Sequence, residues 1–379
     1  MTAPPSVVAD EIGLSGAYLD ERDEQLVLEV LRSGRLALGP MTERFERLLA
    51  ERVGAHRVAA LSSGTAGLHL GVKLAGVRPG DEVVTSPLSF IASANAILYE
   101  GGIPVFVDVD PRTLNVDPAA VEAAITPRTR AVLPVALFGY PLEYDGLLDV
   151  TGRHGLAVVE DAAEALGTTY RGRPVGSFGH PTVFAFYPNK QMTTGEGGAI
   201  AVGSDDEWEL VKSLSNQGRA DRGETFLHTR LGDNYRLDEL SAALGVAQLE
   251  KLDLLLELRS RVAARYDALL ADLEGVTTLC PDDADRRRSW FVYVVFVEEP
   301  HDRDTIMARL AARGVSSKPY LPALHLQPLY RERFGFRPGM FPVAERAGAR
   351  GLALPFHAGL SEDAQARVVA ALTAALRDG

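Results

Sequence analysis

The sequence predicts an α/β protein in which a large domain, residues 1–250, is followed by a smaller α+β domain, residues 251–379. At 379 residues, the chain is longer than one compact core usually serves. Short apolar runs rich in β-branched residues alternate with amphipathic stretches; the runs are HRVAAL at 56, DEVVTS at 81, IPVFVDV at 103, RAVLPVAL at 130, LAVVEDA at 156 and TVFAFY at 182. This alternation predicts a mainly parallel sheet with helices on both faces.

Helical patterns fill the intervals between these runs and dominate the chain after residue 235. Connecting helices are predicted in GTAGLHLGVKLAG at 64, DPAAVEAAIT at 117 and YDGLLDVTGRH at 144. The smaller domain offers one clear strand, WFVYVVFV at 290, with helices at about 302–313 and 361–377. Near the N-terminus, DERDEQLVLEVLRSGRLALGP has acidic residues early in a helical pattern and Gly-Pro just after it, which are typical helix boundaries.

Composition and charge exclude several classes of function. The formal net charge of -12 opposes a broad basic surface for nucleic acid or for an anionic membrane. No apolar run approaches the roughly 20 residues that span a bilayer, and the N-terminus lacks the pattern of a secretory signal. The single cysteine, Cys280, excludes an internal disulfide and the clustered thiols of a zinc or iron–sulfur site. We therefore expect a soluble, cytoplasmic protein with no metal centre and no nucleic-acid or membrane partner.

Lys190 is the strongest candidate for covalent chemistry. It follows the strand-like run FAFYP and precedes the glycine-rich turn TTGEGG, where a sheet can hold its side chain rigidly. A lysine amine can form a Schiff base with an aldehyde and later transfer a proton. The alternative is a solvent-exposed loop lysine, and only the context of Lys190 can decide between the two.

Three further segments supply that context. Asp161 ends the apolar run VVED, and a buried carboxylate there needs a partner, although the residue could also cap a following helix AAEAL. The turn SSGTAGLHL at 62 could bind a phosphate through its N–H groups and hydroxyls, or simply cap a helix. Phe90 could stack on a flat heterocycle or belong to the core. Pyridoxal phosphate combines the aldehyde, the phosphate and the ring nitrogen that these features would bind.

Ordered segments along nearly the whole chain resemble those of the DegT/DnrJ/EryC1/StrS sugar aminotransferases. They are LALGPMTERFE at 36, SSGTAGLHL at 62, GDEVVTSPLSFIASANAI at 80, GGIPVFVDVD at 101, LPVALFGYP at 133, VVEDAAEALGTTYRGRPVGSFG at 158, FAFYPNKQMTTGEGG at 184, LGDNYRLDELSAALGVAQLEKLD at 231 and YLPALHLQPLY at 320. The resemblance implies the aspartate-aminotransferase-like fold, fold type I, with a mainly parallel seven-stranded sheet. It also implies a homodimer with composite active sites and pyridoxal 5'-phosphate as cofactor, with pyridoxamine 5'-phosphate as its aminated form.

The same resemblance assigns roles to individual residues. Lys190 is implied to carry the cofactor as a Schiff base, and Asp161 to pair with its ring nitrogen. The other implied cofactor-binding residues are Gly64, Thr65, Ala66, Phe90, Glu164 and, from the neighbouring subunit, Asn234.

Candidates for substrate contact are fewer. Tyr320 and His325 resemble residues that face the sugar in this family, although either could instead pack between domains. Lys318, Arg219 and Arg230 are candidates for a diphosphate contact, because cations must be local on so acidic a chain. Each of these three could equally be a plain surface residue.

Three residues depart from the family pattern. Ala185 stands where many members have a phosphate-binding Ser, so that another donor or a water must replace its hydroxyl. Glu164 stands where many members have Gln beside the phenolic oxygen of the ring. A carboxylate there must be protonated or turned away to avoid repulsion between like charges. Ala136 replaces a frequent His, which puts a local loop contact in doubt.

The implied reaction moves an amino group, from glutamate by resemblance, to a nucleotide-linked keto sugar, with position 4 of a 6-deoxy-4-keto hexose as the favoured carbon. One alternative is an aminotransferase for a keto-cyclitol such as an inosose, which would act without a nucleotide group. A dehydratase is disfavoured because such members of the family normally have His in place of the lysine. A cofactor-binding regulator is the alternative from another class of function. The intact Lys190 and Asp161, with no added DNA-binding segment, argue against it.

Overall fold

The structure of the protein is a computed structural model that describes residues 11–220 and 226–378. Up to residue 250, helices alternate with the strands of one large sheet and a small hairpin. The strands are β1 (Arg57–Leu61), β2 (Glu82–Thr85), β3 (Ile103–Phe106), β4 (Thr129–Leu133), β5 (Ala157–Val158), β6 (Glu160–Asp161), β7 (Thr169–Tyr170), β8 (Arg173–Pro174), β9 (Thr182–Ala185) and β10 (Gly198–Val202). The helices are α1 (Glu21–Ser33), α2 (Pro40–Val53), α3 (Gly64–Leu74), α4 (Ala92–Tyr99), α5 (Pro118–Ala123), α6 (Tyr144–His154), α7 (Asp205–Leu214) and α8 (Glu239–Glu250).

The large sheet has the predicted, mainly parallel arrangement. Its two groups of four strands, β1-β10-β9-β6 and β3-β2-β4-β5, share one chain segment, because β5 and β6 are separated only by Val159. The sheet is therefore seven-stranded, and neighbouring strands from β9 to β3 are parallel. Strand β10 pairs antiparallel with both β1 and β9. The six predicted runs all form strands of this sheet, whereas the seventh strand, β10, was not predicted.

Helix α3 lies unusually close to this sheet because two of its glycines face the strands. A Cβ atom at Gly67 would lie 2.7 Å from Cγ1 of Val183, and one at Gly71 would lie 2.5 Å from Cγ1 of Val159. Both distances are too short for carbon atoms, so a side chain at either position would push the helix away. The close packing holds the N-terminus of α3 beside the ends of β1 and β10.

After residue 250, the chain forms a second, antiparallel sheet with helices around it. The elements of this part of the chain are α9 (Leu252–Leu270), β11 (Val276–Thr278), β12 (Arg286–Arg287), β13 (Tyr293–Val297), α10 (Arg303–Ala311), β14 (Lys318–Pro319), α11 (Pro328–Phe334), α12 (Pro342–Arg350), β15 (Gly351–Leu354) and α13 (Glu362–Arg377). The sheet order is β11, β13, β15, β14. The predicted α+β arrangement is thus present, and the one predicted strand, β13, lies inside this sheet.

Helix α9 connects the two sheets. Leu252 and Leu255 pack in the core around the large sheet, whereas Tyr266 and Leu270 pack against the small sheet. Strand β12 pairs with β7 and thereby joins the C-terminal part to the hairpin of the N-terminal part. The two parts therefore interlock, and a domain boundary between residues 250 and 251 stays a prediction.

Within the ranges that the structure describes, none of the helices combines the length and the apolar character that crossing a membrane requires.

Candidate active site

A cavity of about 400 Å³ lies where β6 and β9 of the large sheet end, below a segment of the C-terminal part. It brings together residues that are far apart in the sequence. They are Ser63, Gly64, Thr65, Leu68, Ser89, Phe90, Ala92, Val135, Asp161, Ala163, Glu164, Ala185, Tyr187, Asn189, Lys190, Glu196, Gly197, Tyr320 and Leu321. A cavity of this size can enclose a small heterocyclic ligand.

Lys190 lies in the turn that follows β9, where its N–H group donates a hydrogen bond to the carbonyl of Tyr187 at 2.9 Å. Its side chain is largely buried and points into the cavity. The Nζ atom lies 3.9 Å from the centre of the Phe291 ring and 3.6 Å from Oε1 of Glu164. A solvent-exposed loop lysine is therefore not what the structure contains. The amine is held between an aromatic face and a carboxylate.

Asp161 is a buried carboxylate on the cavity wall. Oδ2 accepts a hydrogen bond from Oγ of Ser93 at 2.6 Å, and Oδ1 accepts one from the N–H of Ala163 at 3.1 Å. Burial raises the pKa of Asp161, because a charged carboxylate loses its hydration there. The following AAEAL segment forms turns rather than a helix, so Asp161 does not cap a helix. A buried carboxylate beside a cavity suits a cationic ligand group such as a protonated ring nitrogen.

Glu164 is a second buried carboxylate, and its position is fixed by the main chain of another loop. Oε2 accepts a hydrogen bond from the N–H of Phe138 at 2.9 Å. Phe138 has φ 54° and ψ 26°, a left-handed conformation that is uncommon for a bulky residue. Burial raises the pKa of Glu164, while the nearby Lys190 opposes this rise. Burial therefore favours the protonated carboxyl more than water does, which is one of the two ways, besides turning away, to avoid repulsion from a phenolic oxygen.

The N-terminus of α3 forms one end of the cavity. Gly64 and Thr65 line it, and the first N–H groups of a helix have no acceptor within the helix. Ala66 is buried, and its N–H donates to Oγ of the capping residue Ser63 at 3.1 Å, so its role as a phosphate ligand stays a prediction.

Ala185 lies directly beside this helix end. A Cβ atom at Gly64 would come within 2.8 Å of Cβ of Ala185, so the two positions face each other. The hydroxyl of the serine that many family members have is absent here. Thr65 and Ser63 are the hydroxyl groups that remain on the same wall.

Two aromatic rings stand at the mouth of the cavity. Phe90 is 62% exposed and Tyr187 is 53% exposed, although both belong to its lining. An exposed Phe on a cavity wall is not a core residue, so the core alternative for Phe90 is wrong. Both rings are free to contact a flat or ring-shaped ligand. Tyr187 and Asn189 were not singled out from the sequence, although they lie in the same FAFYPNK run as the candidate lysine.

Tyr320 is the one predicted substrate contact that the structure brings into this cavity. Its ring lies 5.8 Å from the ring of Phe138 and 6.0 Å from that of Phe291, measured between centroids. Burial, together with the charge of Glu164, raises the pKa of Tyr320 well above its ordinary value. The phenol therefore stays protonated and can donate a hydrogen bond toward the cavity.

His325 is not among the residues that line the cavity. It is fully buried, and its Nε2 atom lies 2.9 Å from Oε1 of Glu345 in the C-terminal part. Lys318 is exposed on β14, away from the cavity lining. Within one chain, neither residue is placed to contact a ligand in this cavity, and their predicted substrate roles stay predictions.

Asn234, Arg219 and Arg230 lie together in another part of the surface. Asn234 is exposed and pairs with Asn216 through a main-chain bridge. Arg219 lies with its guanidinium carbon 5.8 Å from the centre of the Phe226 ring, and Arg230 donates to Oγ of Ser213 at 3.0 Å. None of the three lines the cavity of its own chain.

We expect the substitution Glu164→Gln to make the cofactor-free protein more stable at neutral pH. A raised pKa means that the folded state favours the protonated carboxyl. The protonated carboxyl of Glu164 therefore contributes its full stabilisation below about pH 4, and this contribution is lost as the pH rises through the raised pKa of the folded state. Glutamine cannot ionise, so the advantage of Glu164→Gln should grow with pH. Thermal unfolding between pH 4 and pH 9 measures it.

Glu122→Gln is a matched control, because the pKa of Glu122 is shifted in the opposite direction from that of Glu164. The Arg153 guanidinium, with His154, lowers the pKa of the exposed Glu122 to about 2. Any gain in stability from the native Glu122 carboxylate, compared with Gln, is present above the pKa of Glu122 in the unfolded chain and is lost as the pH falls through its lowered pKa in the folded state. Equal pH profiles for native protein and Glu164→Gln would show that burial does not penalise the charged form of Glu164.

Comparisons with known proteins find relatives along nearly the whole chain. The model of the DegT/DnrJ/EryC1/StrS aminotransferase family matches residues 17–373. The chain is similar to GDP-perosamine synthase from Caulobacter vibrioides, with 40% identity over 364 residues that cover 95% of this chain and 97% of the relative. It is also similar to the solved structure of the aminotransferase TlmJ from Streptoalloteichus hindustanus, with a TM-score of 0.90, 34% identity and coverage of 97% and 99% of the two chains. The structure of DesV from S. venezuelae, solved with a ketimine intermediate, has a TM-score of 0.88, 34% identity and coverage of 96% and 98%.

Proposed function

The chain belongs to the DegT/DnrJ/EryC1/StrS aminotransferase family, and we propose that it transfers the amino group of glutamate to a nucleotide-linked 4-keto-6-deoxy hexose. As a member of this family, it is a pyridoxal-phosphate-dependent sugar aminotransferase that makes amino sugars. The nucleotide, the donor and the carbon that is aminated are the proposal. The name of GDP-perosamine synthase, which specifies a nucleotide and an amino sugar, supports it. A cytoplasmic location stays a prediction.

The observation that carries the proposal is the convergence of Lys190, Asp161 and the N-terminus of α3 on one cavity. The three groups fit the aldehyde, the ring nitrogen and the phosphate of pyridoxal phosphate, respectively. The buried Asp161 carboxylate has a raised pKa and makes no salt bridge with the described residues, so a protonated ring nitrogen would stabilise its charge. Gly64 and Thr65 would bind the phosphate, and Phe90 would cover the ring.

Pyridoxal phosphate, when bound, supplies an aldehyde and a ring that stabilises negative charge at the reacting carbon. Lys190 would hold the aldehyde covalently through its amine and, once an amino donor has displaced it, would move a proton at Cα of the donor as a general base and acid. Asp161 would pair with the ring nitrogen through its carboxylate and keep it protonated. The same residues act in the reverse order when the keto sugar accepts the amino group.

The substrate is tested by converting the purified protein to its aminated form with glutamate and then adding candidate acceptors. A nucleotide-linked 4-keto-6-deoxy hexose should restore the aldehyde absorbance at least about a hundred times faster than a free keto-cyclitol, because remote binding energy raises the rate of the reacting step. Mass spectrometry identifies the amino sugar.

A keto-cyclitol that restores the absorbance fastest would contradict the proposed substrate and support the inosose alternative. If amino donors leave the spectrum of the loaded protein unchanged, the protein is a cofactor-binding regulator. Removing the nucleotide from the best acceptor serves as the matched control, because it changes only the group that is distant from the keto carbon.

We also propose that two copies of the chain complete each other's sites. Asn234 is exposed, and it lies on a segment with large exposed apolar side chains, among them Leu231, which is 88% exposed, and Phe226. Exposed apolar side chains of this size are typical of surfaces that a partner covers. A second copy with Asn234 at the phosphate end of the cavity would account for both features.

Mixing two inactive variants tests this arrangement. If a site takes its lysine from one subunit and its asparagine from the other, a dimer of Lys190→Ala with Asn234→Ala has one intact site. Random mixing should then restore about a quarter of the native activity, because half of the dimers are mixed and each has one working site of two. Sedimentation measures the dimer. A fully active monomer would contradict the composite site.

A further inference from the structure

Arg259, on α9, is a buried cation outside the group of residues that line the cavity. It is 3% exposed, and no carboxylate pairs with it in the part of the chain that the structure describes. Burial lowers the pKa of Arg259 to about 10, because its charge loses hydration. A buried charge without a counter-ion is costly, so a specific interaction has to compensate for it.

Two of its nitrogen atoms, Nη1 and Nη2, bind main-chain carbonyl groups of two separate segments. Nη1 donates to the carbonyl of Phe291 at 3.1 Å. Nη2 donates to the carbonyl of Asn189 at 3.3 Å and to that of Lys190. The planar guanidinium reaches both segments at once, because its donors point in fixed and different directions. A lysine at this position would have one ammonium group for the same three acceptors.

These two segments are the ones that hold the Lys190 amine. Lys190 belongs to the first, and the Phe291 ring, against which its Nζ atom lies at 3.9 Å, belongs to the second. The Arg259 side chain therefore binds both the main chain that carries the Lys190 amine and the main chain that carries the Phe291 ring. Arg259 lies on helix α9, which packs against both sheets.

We propose that Arg259 is a positioning residue for the reaction: by binding the carbonyl groups of Asn189, Lys190 and Phe291, it fixes the Lys190 amine against the Phe291 ring and toward the cofactor. This inference rests on the proposed role of Lys190. A misplacement of about 1 Å in a reacting group can slow a reaction about a hundredfold, so loss of these bonds should affect the proton transfer more than substrate binding.

The variants Arg259→Met and Arg259→Lys test the inference against two controls on the same helix. Arg261→Met removes an exposed charge that pairs with Glu257. Tyr266→Phe removes a buried hydrogen bond, from its hydroxyl to the carbonyl of Pro355 at 2.9 Å, and so reproduces a loss of stability. Tyr266 packs against the small sheet.

The first measurement uses cofactor-free protein and does not depend on activity. An amine-selective acylating reagent is added, and mass spectrometry compares the labelling rate of Lys190 with that of the exposed Lys318. In Arg259→Met, the relative rate at Lys190 should rise at least about fivefold, because the amine is no longer held against the Phe291 ring. Arg259→Lys should lie between Arg259→Met and the native protein, and both controls should match the native protein.

The second measurement uses the loaded enzyme, well below the unfolding temperature of each variant. Arg259→Met should lower kcat about ten- to a hundredfold and leave KM for the keto sugar within about threefold. Arg259→Lys should recover part of kcat. If Arg259→Met does not fold, the same two measurements on Arg259→Lys decide the matter, with a reduced kcat and faster labelling expected.

Labelling and kcat in the folded Arg259 variants that equal those of Tyr266→Phe would overturn the inference and leave Arg259 a structural residue. Failure of the proposed function has a different signature. If borohydride reduction of the native holoenzyme labels a lysine other than Lys190, the function assigned to Lys190 is wrong. If it labels Lys190 and the Arg259 variants behave as the controls do, only the inference about Arg259 fails.

Discussion

Replacing Lys190 with Ala is expected to stop turnover, with kcat reduced by about five orders of magnitude or more. The methyl group of Ala can neither bond the cofactor aldehyde nor move the proton at Cα, and no other lysine lines the cavity within the described residues. The visible absorbance of the lysine-bound cofactor should disappear from the resting enzyme. The variant should still bind cofactor noncovalently, because the N-terminus of α3 and Asp161 remain in place. Stopped turnover and cofactor content are measured separately.

Lys190→Arg is the matched variant for the charge at this position. It keeps a cation near Glu164 and the Phe291 ring, but a guanidinium stays protonated and does not attack an aldehyde. It should therefore be as inactive as Lys190→Ala. Borohydride reduction of the native holoenzyme, followed by peptide mapping, tests the bond directly. A pyridoxyl group on a lysine other than Lys190 would contradict the central claim.

Replacing Asp161 with Ala is expected to slow proton removal at Cα by about a thousandfold or more, while cofactor binding weakens less. Without the carboxylate, the ring nitrogen loses the anionic partner proposed for it, and an electrostatic contribution at the reacting centre is worth several kcal/mol. Glu164 cannot substitute for it, because its Oε2 atom is bound to the N–H of Phe138 and Lys190 lies next to its Oε1. Single-turnover kinetics with glutamate measure the step.

Asp161→Asn separates the charge from the shape of this side chain. Its oxygen can accept the hydrogen bond from the N–H of Ala163, and its NH2 group can donate to the hydroxyl of Ser93, so that both neighbours keep a partner. A loss close to that of Asp161→Ala would assign the effect to the charge. Near-native turnover in both variants would show that the ring nitrogen does not depend on Asp161.

The electrostatics of the site also explain why the departure from the family pattern at position 164 is tolerated. Asp161 and Glu164 are both buried, and the pKa of each is raised by burial. Two ionised carboxylates in one cavity repel each other, and the single Lys190 amine cannot neutralise both. Either carboxyl group therefore takes up a proton more readily in this cavity than it would in water. Lys190 lies 3.6 Å from Oε1 of Glu164, and this nearby cation opposes the rise in the pKa of Glu164.

Local patterns in the sequence were sufficient for six of the seven strands of the large sheet, all except β10, and for the position of Lys190. Apolar β-branched runs mark buried strands because the pattern depends on neighbouring residues alone, and a lysine directly after such a run lies at the end of a strand. Asp161 could be placed at a strand end for the same reason. The family resemblance added their chemical roles, since a role depends on an ordered set of motifs rather than on one segment.

Other features depend on contacts between distant segments, which no local pattern contains. The antiparallel direction of β10, the ring of Phe291 against the Lys190 amine, and the burial of His325 away from the cavity were decided only by packing. Arg259 was not singled out in the sequence, because an arginine on an amphipathic helix usually lies at the surface. Only the tertiary structure turns it inward, where three carbonyl groups from two loops replace the water that its charge has lost.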